Sequence, residues 1–293
     1  MKVLVTGANG QLGYDVIKLL DSEGIEFLGT DRESLDITNE EQVKRVICDY
    51  NPDVVIHCAA YTAVDKAEDE KELCYSVNVL GTKYVAEACK DIDAKMVYIS
   101  TDYVFDGEGD KPFEITDKPN PVNYYGQTKY KGELEVQKLL EKNFIVRTSW
   151  VFGRHGKNFV KTILNIGKDR DEISVVADQV GSPTYTHDLA KFLVDLIRTD
   201  KYGIYHATNE GYCSWYEFAC EIFELARLCT NVKPISADNY PTKAKRPKNS
   251  RLNTDQLTKY NFKKLPNYKD SILQYFANES SLIDEADENL KLK

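Results

Sequence analysis

The sequence predicts an α/β protein, a doubly wound parallel sheet followed by a smaller α/β lobe. Three observations carry this. Short apolar, β-branched runs alternate with helix-period segments through the first half. Those runs are almost continuously apolar, as strands covered on both faces must be. A glycine-rich turn also stands between the first run and the first helix. At 293 residues, 42% hydrophobic and 29% charged, the chain suits one large domain or a domain with an appended lobe.

In chain order the strands are KVLVT (2–6), EFLGT (26–30), DVVIHCAA (53–60), KMVYIST (95–101) and FIVRTSW (144–150). Helical periodicity marks QLGYDVIKLLDSEG, EEQVKRVICDY, CYSVNVLGTKYVAEACKD and a segment beginning at NYYGQTKYKGE. Thr38 and Glu41 have capping-box spacing ahead of the second helix. Past residue 152 the rhythm loosens into helix (NFVKTILNIGK), strand (EISVVAD), helix (HDLAKFLVDLIR), strand (GIYHATN) and helix (SWYEFACEIFELARL). The expected organisation is a dinucleotide-binding domain over 1–152, joined by segments returning from the second half. A substrate lobe over 153–277 and an acidic, flexible tail over 278–293 follow.

A net charge of −9 argues against nucleic acid or an anionic membrane as partner. No apolar run nears the roughly 18 residues that span a bilayer. The N-terminus reads as strand and turn, not as a signal peptide. Seven cysteines without a CxxC pair, and histidines scattered singly at 57, 155, 187 and 206, predict a reduced, cytoplasmic protein without structural zinc.

VTGANGQLG places Gly7, Gly10 and Gly13 directly after the first strand. Glycines there let the backbone approach a pyrophosphate, which sits at the positive end of the following helix. Asp31, ending the second strand, can accept from ribose hydroxyls and favours NADH, whereas the adjoining Arg32 can hold the 2′-phosphate of NADPH. The two cues oppose each other. Small residues at Ala59 and Ala60 leave room for the dinucleotide to cross the sheet edge.

NYYGQTKYKGE (123–133) holds three tyrosines and two lysines. On a helix, residues four apart lie about 40° from each other. Only Tyr125 has a lysine there, Lys129; Tyr130 and Lys131 read as helix surface, and Tyr124 as a candidate pocket residue. A nearby ammonium lowers a phenol's pKa from about 10 toward the working range of an acid–base catalyst. Ser100 and Thr101 end the fourth strand, where a hydroxyl can donate to a carbonyl oxygen as negative charge develops.

With VTGANGQLG, DRESLDIT, HCAAYTAVDKAE, NVLGT, YISTDYVFDG, NPVNYYGQTKYKGE, RTSWVFG, DQVGSPTYTHDLA and RPKNSRLNT in place, the chain resembles the extended short-chain dehydrogenase/reductases, and within them the dTDP-4-dehydrorhamnose reductase family. The resemblance runs from residue 1 to about 255. It implies Thr101, Tyr125 and Lys129 as catalytic residues. It implies cofactor contacts at Gly10, Gln11, Leu12, Asp31, Asp36, Ile37, Ala60, Tyr61 and Thr62, and sugar contacts at Thr101, Asp102 and Trp150. Thr62, Val64, Phe105 and Tyr125 complete the expected substrate set. The cofactor would be NADPH or NADH, the partner a small nucleotide sugar, and the assembly a homodimer. Some members use Mg2+ at a dimer contact, for which no ligand maps onto this sequence.

Dehydratases of the same superfamily carry Asp-Glu after the threonine, whereas here Asp102 is followed by Tyr103. That favours a reductase, with Asp102 orienting the substrate or capping its loop. The substrate's diphosphate calls for cations, and TKAKRPKNSR (242–251) and GRHGKN (153–158) supply them, Arg246 and Lys157 foremost. The function expected is reduction of the C4 ketone of dTDP-4-dehydro-L-rhamnose. A reductase of another nucleotide-linked 4-keto sugar, or a non-catalytic dinucleotide-binding subunit, are the alternatives.

Overall fold

The computed structural model describes residues 1–278. In chain order it contains β1 (Lys2–Thr6), α1 (Gln11–Ser22), β2 (Glu26–Thr30), α2 (Glu40–Tyr50), β3 (Val54–His57), α3 (Val64–Ala67) and α4 (Lys71–Tyr75). A π-helical turn (Ser76–Gly81), α5 (Thr82–Asp91), β4 (Lys95–Thr101), α6 (Tyr124–Leu139) and β5 (Asn143–Thr148) follow. The second half adds α7 (Phe159–Lys168), β6 (Glu172–Val176), α8 (Thr186–Ile197), β7 (Gly203–His206), α9 (Trp215–Leu225) and β8 (Asn231–Ile235).

Six strands form one parallel sheet in the order 7-5-4-3-1-2. The chain starts at β1 and winds outward both ways, so the order reverses between β1 and β3, which opens a crevice at their carboxyl ends. One face is covered by α1 and α8, whose Val16, Leu20, Leu189 and Leu193 meet Val3, Val5 and Ile56 of the strands. On the other face Val43, Ile47, Val85 and Val136, from α2, α5 and α6, pack on Leu4, Val55 and Ile145. Alternate strand residues thus serve opposite layers, which is why the strands read as unbroken apolar runs. β7 and α8 come from the second half of the chain, so the sheet closes only with residues beyond 152.

The remaining lobe has its own core of Phe152, Val160, Ile173, Phe218, Ile222 and Tyr275. There β6 pairs in parallel with β8, and α7 and α9 pack on each other. Among the described residues no helix is long and apolar enough to cross a membrane. The tail expected from Asn278 onward lies outside the described residues, except for Asn278, the last residue of the helix Tyr268–Asn278.

The cap of α2 differs from expectation. Asn39, not Thr38, is the N-cap, and its side chain accepts from Gln42 N at 3.0 Å. Thr38 instead donates through Oγ1 to Asp36 at 2.7 Å, so the preceding turn uses the hydroxyl that a capping box would need.

Candidate active site

A cavity of about 880 Å³ runs along the carboxyl ends of the central strands. Gly7 and Gly13 build its floor. Gly7 has φ +66°, and a Cβ there would lie 2.7 Å from Ala59 N; one on Gly13 would lie 2.3 Å from Gly7 O. Only glycine fits either place. Gly10 is the N-cap of α1 and offers no side chain to its first amides, which leaves that positive end open to an anion. Gln11, Leu12, Asp36, Ile37, Ala59, Ala60, Tyr61 and Thr62 line the same space.

At the Asp31 end of the cavity, that carboxylate is committed to its own turn. Oδ1 accepts from Glu33 N, Ser34 N and Ser34 Oγ, and Oδ2 accepts from Asn9 Nδ2 at 2.6 Å. The Ser34 amide and hydroxyl are the main reason its carboxyl is held below the usual range. Arg32 is exposed on the same rim and makes no hydrogen bond or ion pair among the described residues.

The other end carries Thr101, Asp102, Tyr125 and Lys129. Asn123 caps α6 by accepting from Gly126 N at 2.8 Å, which sets Tyr125 and Lys129 on its first turns. Gly126 sits so close to Tyr103 O that a Cβ would stand 2.1 Å away, so α6 lies directly against the end of β4. Thr101, Asp102, Tyr125 and Lys129 all line the cavity, and all are buried in the fold around it.

Two expectations about these groups change in the folded protein. Thr101 Oγ1 donates to Asp102 Oδ1 at 2.9 Å and so has no proton free for a carbonyl. Tyr125 is pushed up by burial, with Asp102 adding to it, while burial pushes Lys129 down to about 7. The Lys129 ammonium lies 4.1 Å from the Tyr98 ring centroid, over the face of that ring. Asp102 Oδ2 accepts no hydrogen bond, and burial raises that carboxyl to about 6.

Behind this row lies a buried ion pair. Arg147 Nε and Nη2 donate to Glu133 Oε1 and Oε2 at 2.9 and 2.7 Å, and Ser100 Oγ donates to Oε1 at 2.5 Å. Glu133 is four residues beyond Lys129 on α6, so the pair ties α6 to β5 and the end of β4. Asn78, in the π-helical turn, accepts from Tyr61 N at 2.8 Å and donates to Tyr61 O at 3.1 Å and Thr128 Oγ1 at 3.0 Å. It joins the Ala59–Thr62 loop to α6. The motifs NVLGT and NYYGQTKYKGE contain Asn78 and Glu133 but do not single them out, because burial and partner choice are not written in a motif.

A second cavity of about 950 Å³ lies between α7, α9 and residues 237–248, with Trp215, Tyr240 and Arg246 on its walls. Trp150, at φ +48°, stacks on Trp215 with centroids 3.6 Å apart, so one indole lines each cavity. Arg246 donates to Asp65 Oδ2 at 2.6 Å and Tyr103 Oη at 3.4 Å. Val64 lines the first cavity, and so does Lys157, which is therefore not brought to one site with Arg246. Phe105, expected at the substrate, lines neither cavity. It is 1% exposed, stacked on Phe113 at 4.3 Å with the Arg147 guanidinium 5.1 Å away, because the chain turns inward after Val104. Tyr130 also packs inward, on the Val104, Phe105 and Leu252 cluster, whereas Lys131 is exposed. Among the described residues no group of three or more His, Cys, Asp or Glu is placed to hold a metal.

Residues 1–281 match the family model described as RmlD substrate binding domain. The dTDP-4-dehydrorhamnose reductase of Aggregatibacter actinomycetemcomitans is 45% identical, the match covering 87% of this chain and 92% of that protein. The spore coat polysaccharide biosynthesis protein SpsK of Bacillus subtilis is 38% identical over 97% and 99% of the two chains. Among solved structures, the dTDP-4-dehydrorhamnose reductase of Bacillus anthracis in complex with NADP superposes with a TM-score of 0.93 at 46% identity, covering 94% of this chain and 99% of that one. With the fold, the cavity and these relatives in agreement along nearly its whole length, the chain belongs to the dTDP-4-dehydrorhamnose reductase family of oxidoreductases.

Proposed function

We propose that this chain reduces the C4 ketone of dTDP-4-dehydro-L-rhamnose, using NADPH or NADH, with Tyr125 delivering the proton. The observation that carries the reading is that Thr101, Tyr125 and Lys129 line the same cavity as the glycine turn. Among the described residues Lys129 donates no hydrogen bond and Asp102 Oδ2 accepts none, so the cavity suits a polar occupant such as the nicotinamide ribose and the sugar. When bound, the nicotinamide supplies the hydride. The protein's part is to hold the ketone against it, exclude water and provide the proton.

Tyr125 is the donor because its raised pKa keeps the phenol protonated until an alkoxide forms beside it. Lys129, brought to a bound ribose, regains its charge and eases proton loss from Tyr125. The second cavity suits the nucleotide, with Trp215 and Tyr240 as stacking faces and Arg246 as a cation for the diphosphate. Trp150 would face the sugar between the two. A homodimer, and Mg2+ at its contact, remain part of the proposal on family resemblance alone.

The test is turnover of the dTDP-sugar with each cofactor, followed by loss of nicotinamide absorbance, in the parent and in Tyr125→Phe. The variant should lose about 10²–10⁴ in kcat while binding dinucleotide nearly as before. Near-parental turnover in Tyr125→Phe would remove the assignment.

A further inference from the structure

We propose that Lys157 is a cofactor contact, its ammonium closing over the dinucleotide diphosphate at the start of α1. This rests on reading the first cavity as a dinucleotide site, and reverses the expectation that Lys157 serves the sugar nucleotide.

The loop that carries Lys157 belongs to the second half of the chain, yet it is anchored to the glycine turn. Asn158 Nδ2 donates to Gln11 Oε1 at 3.1 Å. Gly156, at φ +73°, lies so close to Gln11 that a Cβ would be 3.1 Å from its Cγ. The His155 ring stacks on Tyr14 of α1, centroids 4.5 Å apart and 13° from parallel. Asn158 is also the N-cap of α7, accepting from Lys161 N at 3.0 Å, so the loop is fixed at both ends. Lys157 stands between these anchors and lines the cavity beside Gly10 and Gln11.

Lys157 is exposed and lines the cavity, so its ammonium can turn toward an anion there. The start of α1 is the positive end of that helix, with neither a capping side chain nor an acidic residue in its first turn. Lys157 makes no ion pair or hydrogen bond among the described residues. Two like charges facing one cavity are stabilised together when an anion enters between them. The same cavity holds, farther along, the buried Lys129 ammonium and Asp102 Oδ2, which accepts no hydrogen bond among the described residues, and this marks it as built for a long polar occupant. A diphosphate over α1 answers the positive end.

Direct titration of NADPH and NADH by fluorescence, without sugar nucleotide, tests this in the full chain, in Lys157→Gln and in Lys157→Arg. The proposal expects both dissociation constants to rise by roughly fivefold or more in Lys157→Gln, by equal factors, because both cofactors share the diphosphate. Lys157→Arg should recover most of the loss, and the salt dependence of binding should flatten in Lys157→Gln. Unchanged constants overturn it, and so does a rise for NADPH alone, which would place the ammonium at the 2′-phosphate. A higher KM for the sugar nucleotide with unchanged dinucleotide binding would return Lys157 to the substrate. If the parent binds neither dinucleotide, the proposed function fails first and takes this inference with it.

Discussion

Thr101 commits its hydroxyl proton to its own neighbour, donating through Oγ1 to Asp102 Oδ1 at 2.9 Å, while Tyr103 N–H donates to the same Oγ1 at 3.2 Å. Thr101 can therefore polarise a ketone only when Asp102 gives up that bond. A protonated Asp102 can do so, by donating to Oγ1 and turning the threonine proton outward. Burial puts the Asp102 carboxyl at about 6, so this form is lost as pH rises through that value. In the parent, kcat/KM should fall across this window. In Asp102→Asn, whose amide donates at every pH, that limb should be absent from the profile. An identical limb in the variant would separate Asp102 from the donor role of Thr101.

Lys129 gives a stability prediction. Its folded-state pKa, about 7, lies below the usual value of 10.5 because the ammonium is buried. Between those values the unfolded chain binds the extra proton, so stability of the cofactor-free protein rises with pH, by at most about 1.4 kcal/mol per unit. Below pH 7 the cost of the buried charge is constant. Lys129→Met should abolish the rise and be the more stable form at neutral pH. Urea midpoints at neutral and alkaline pH check this; parallel curves for parent and variant would contradict it.

The Glu133–Arg147 pair predicts an asymmetry. Both side chains are at most 2% exposed, and Arg147 Nη1 already lacks a partner. Glu133→Gln leaves a buried guanidinium uncompensated and should cost about 3–5 kcal/mol in denaturant unfolding. Adding Arg147→Met should recover part of that loss, because the stranded charge is gone. A double variant less stable than the single one would show the pair to be net stabilising.

Arg32 should decide between cofactors. Asp31 accepts four hydrogen bonds from its own turn and from Asn9, whereas the guanidinium beside it makes no hydrogen bond or ion pair among the described residues. That rim would therefore suit the 2′-phosphate of NADPH. Arg32→Ala should weaken NADPH by about tenfold or more and leave NADH within a factor of about two. Equal losses for the two cofactors would contradict this.

Much of the fold was legible because it is written in local chemistry. The strand at 2–6, the glycine turn and the helix after it each follow from apolar period and φ freedom within a few residues. The i to i+4 spacing likewise puts Tyr125 and Lys129 on one helical face. Where local signals compete, the reading slipped: Thr38 looked like a cap, but Asp36 claims its hydroxyl and Asn39 takes the place.

The sequence by itself determined the alternating α/β order, the glycine turn ahead of α1 and the Tyr125–Lys129 spacing on one helical face. Only the tertiary structure decided who faces whom. It buried Phe105 in the core, set Lys157 and Arg246 on different cavities, turned the Thr101 proton toward Asp102 and pressed Lys129 to a near-neutral pKa. The reason is physical. Periodicity and capping act over one or two turns of chain, whereas desolvation and hydrogen-bond partnership depend on atoms brought together from positions as far apart as Gln11 and Asn158.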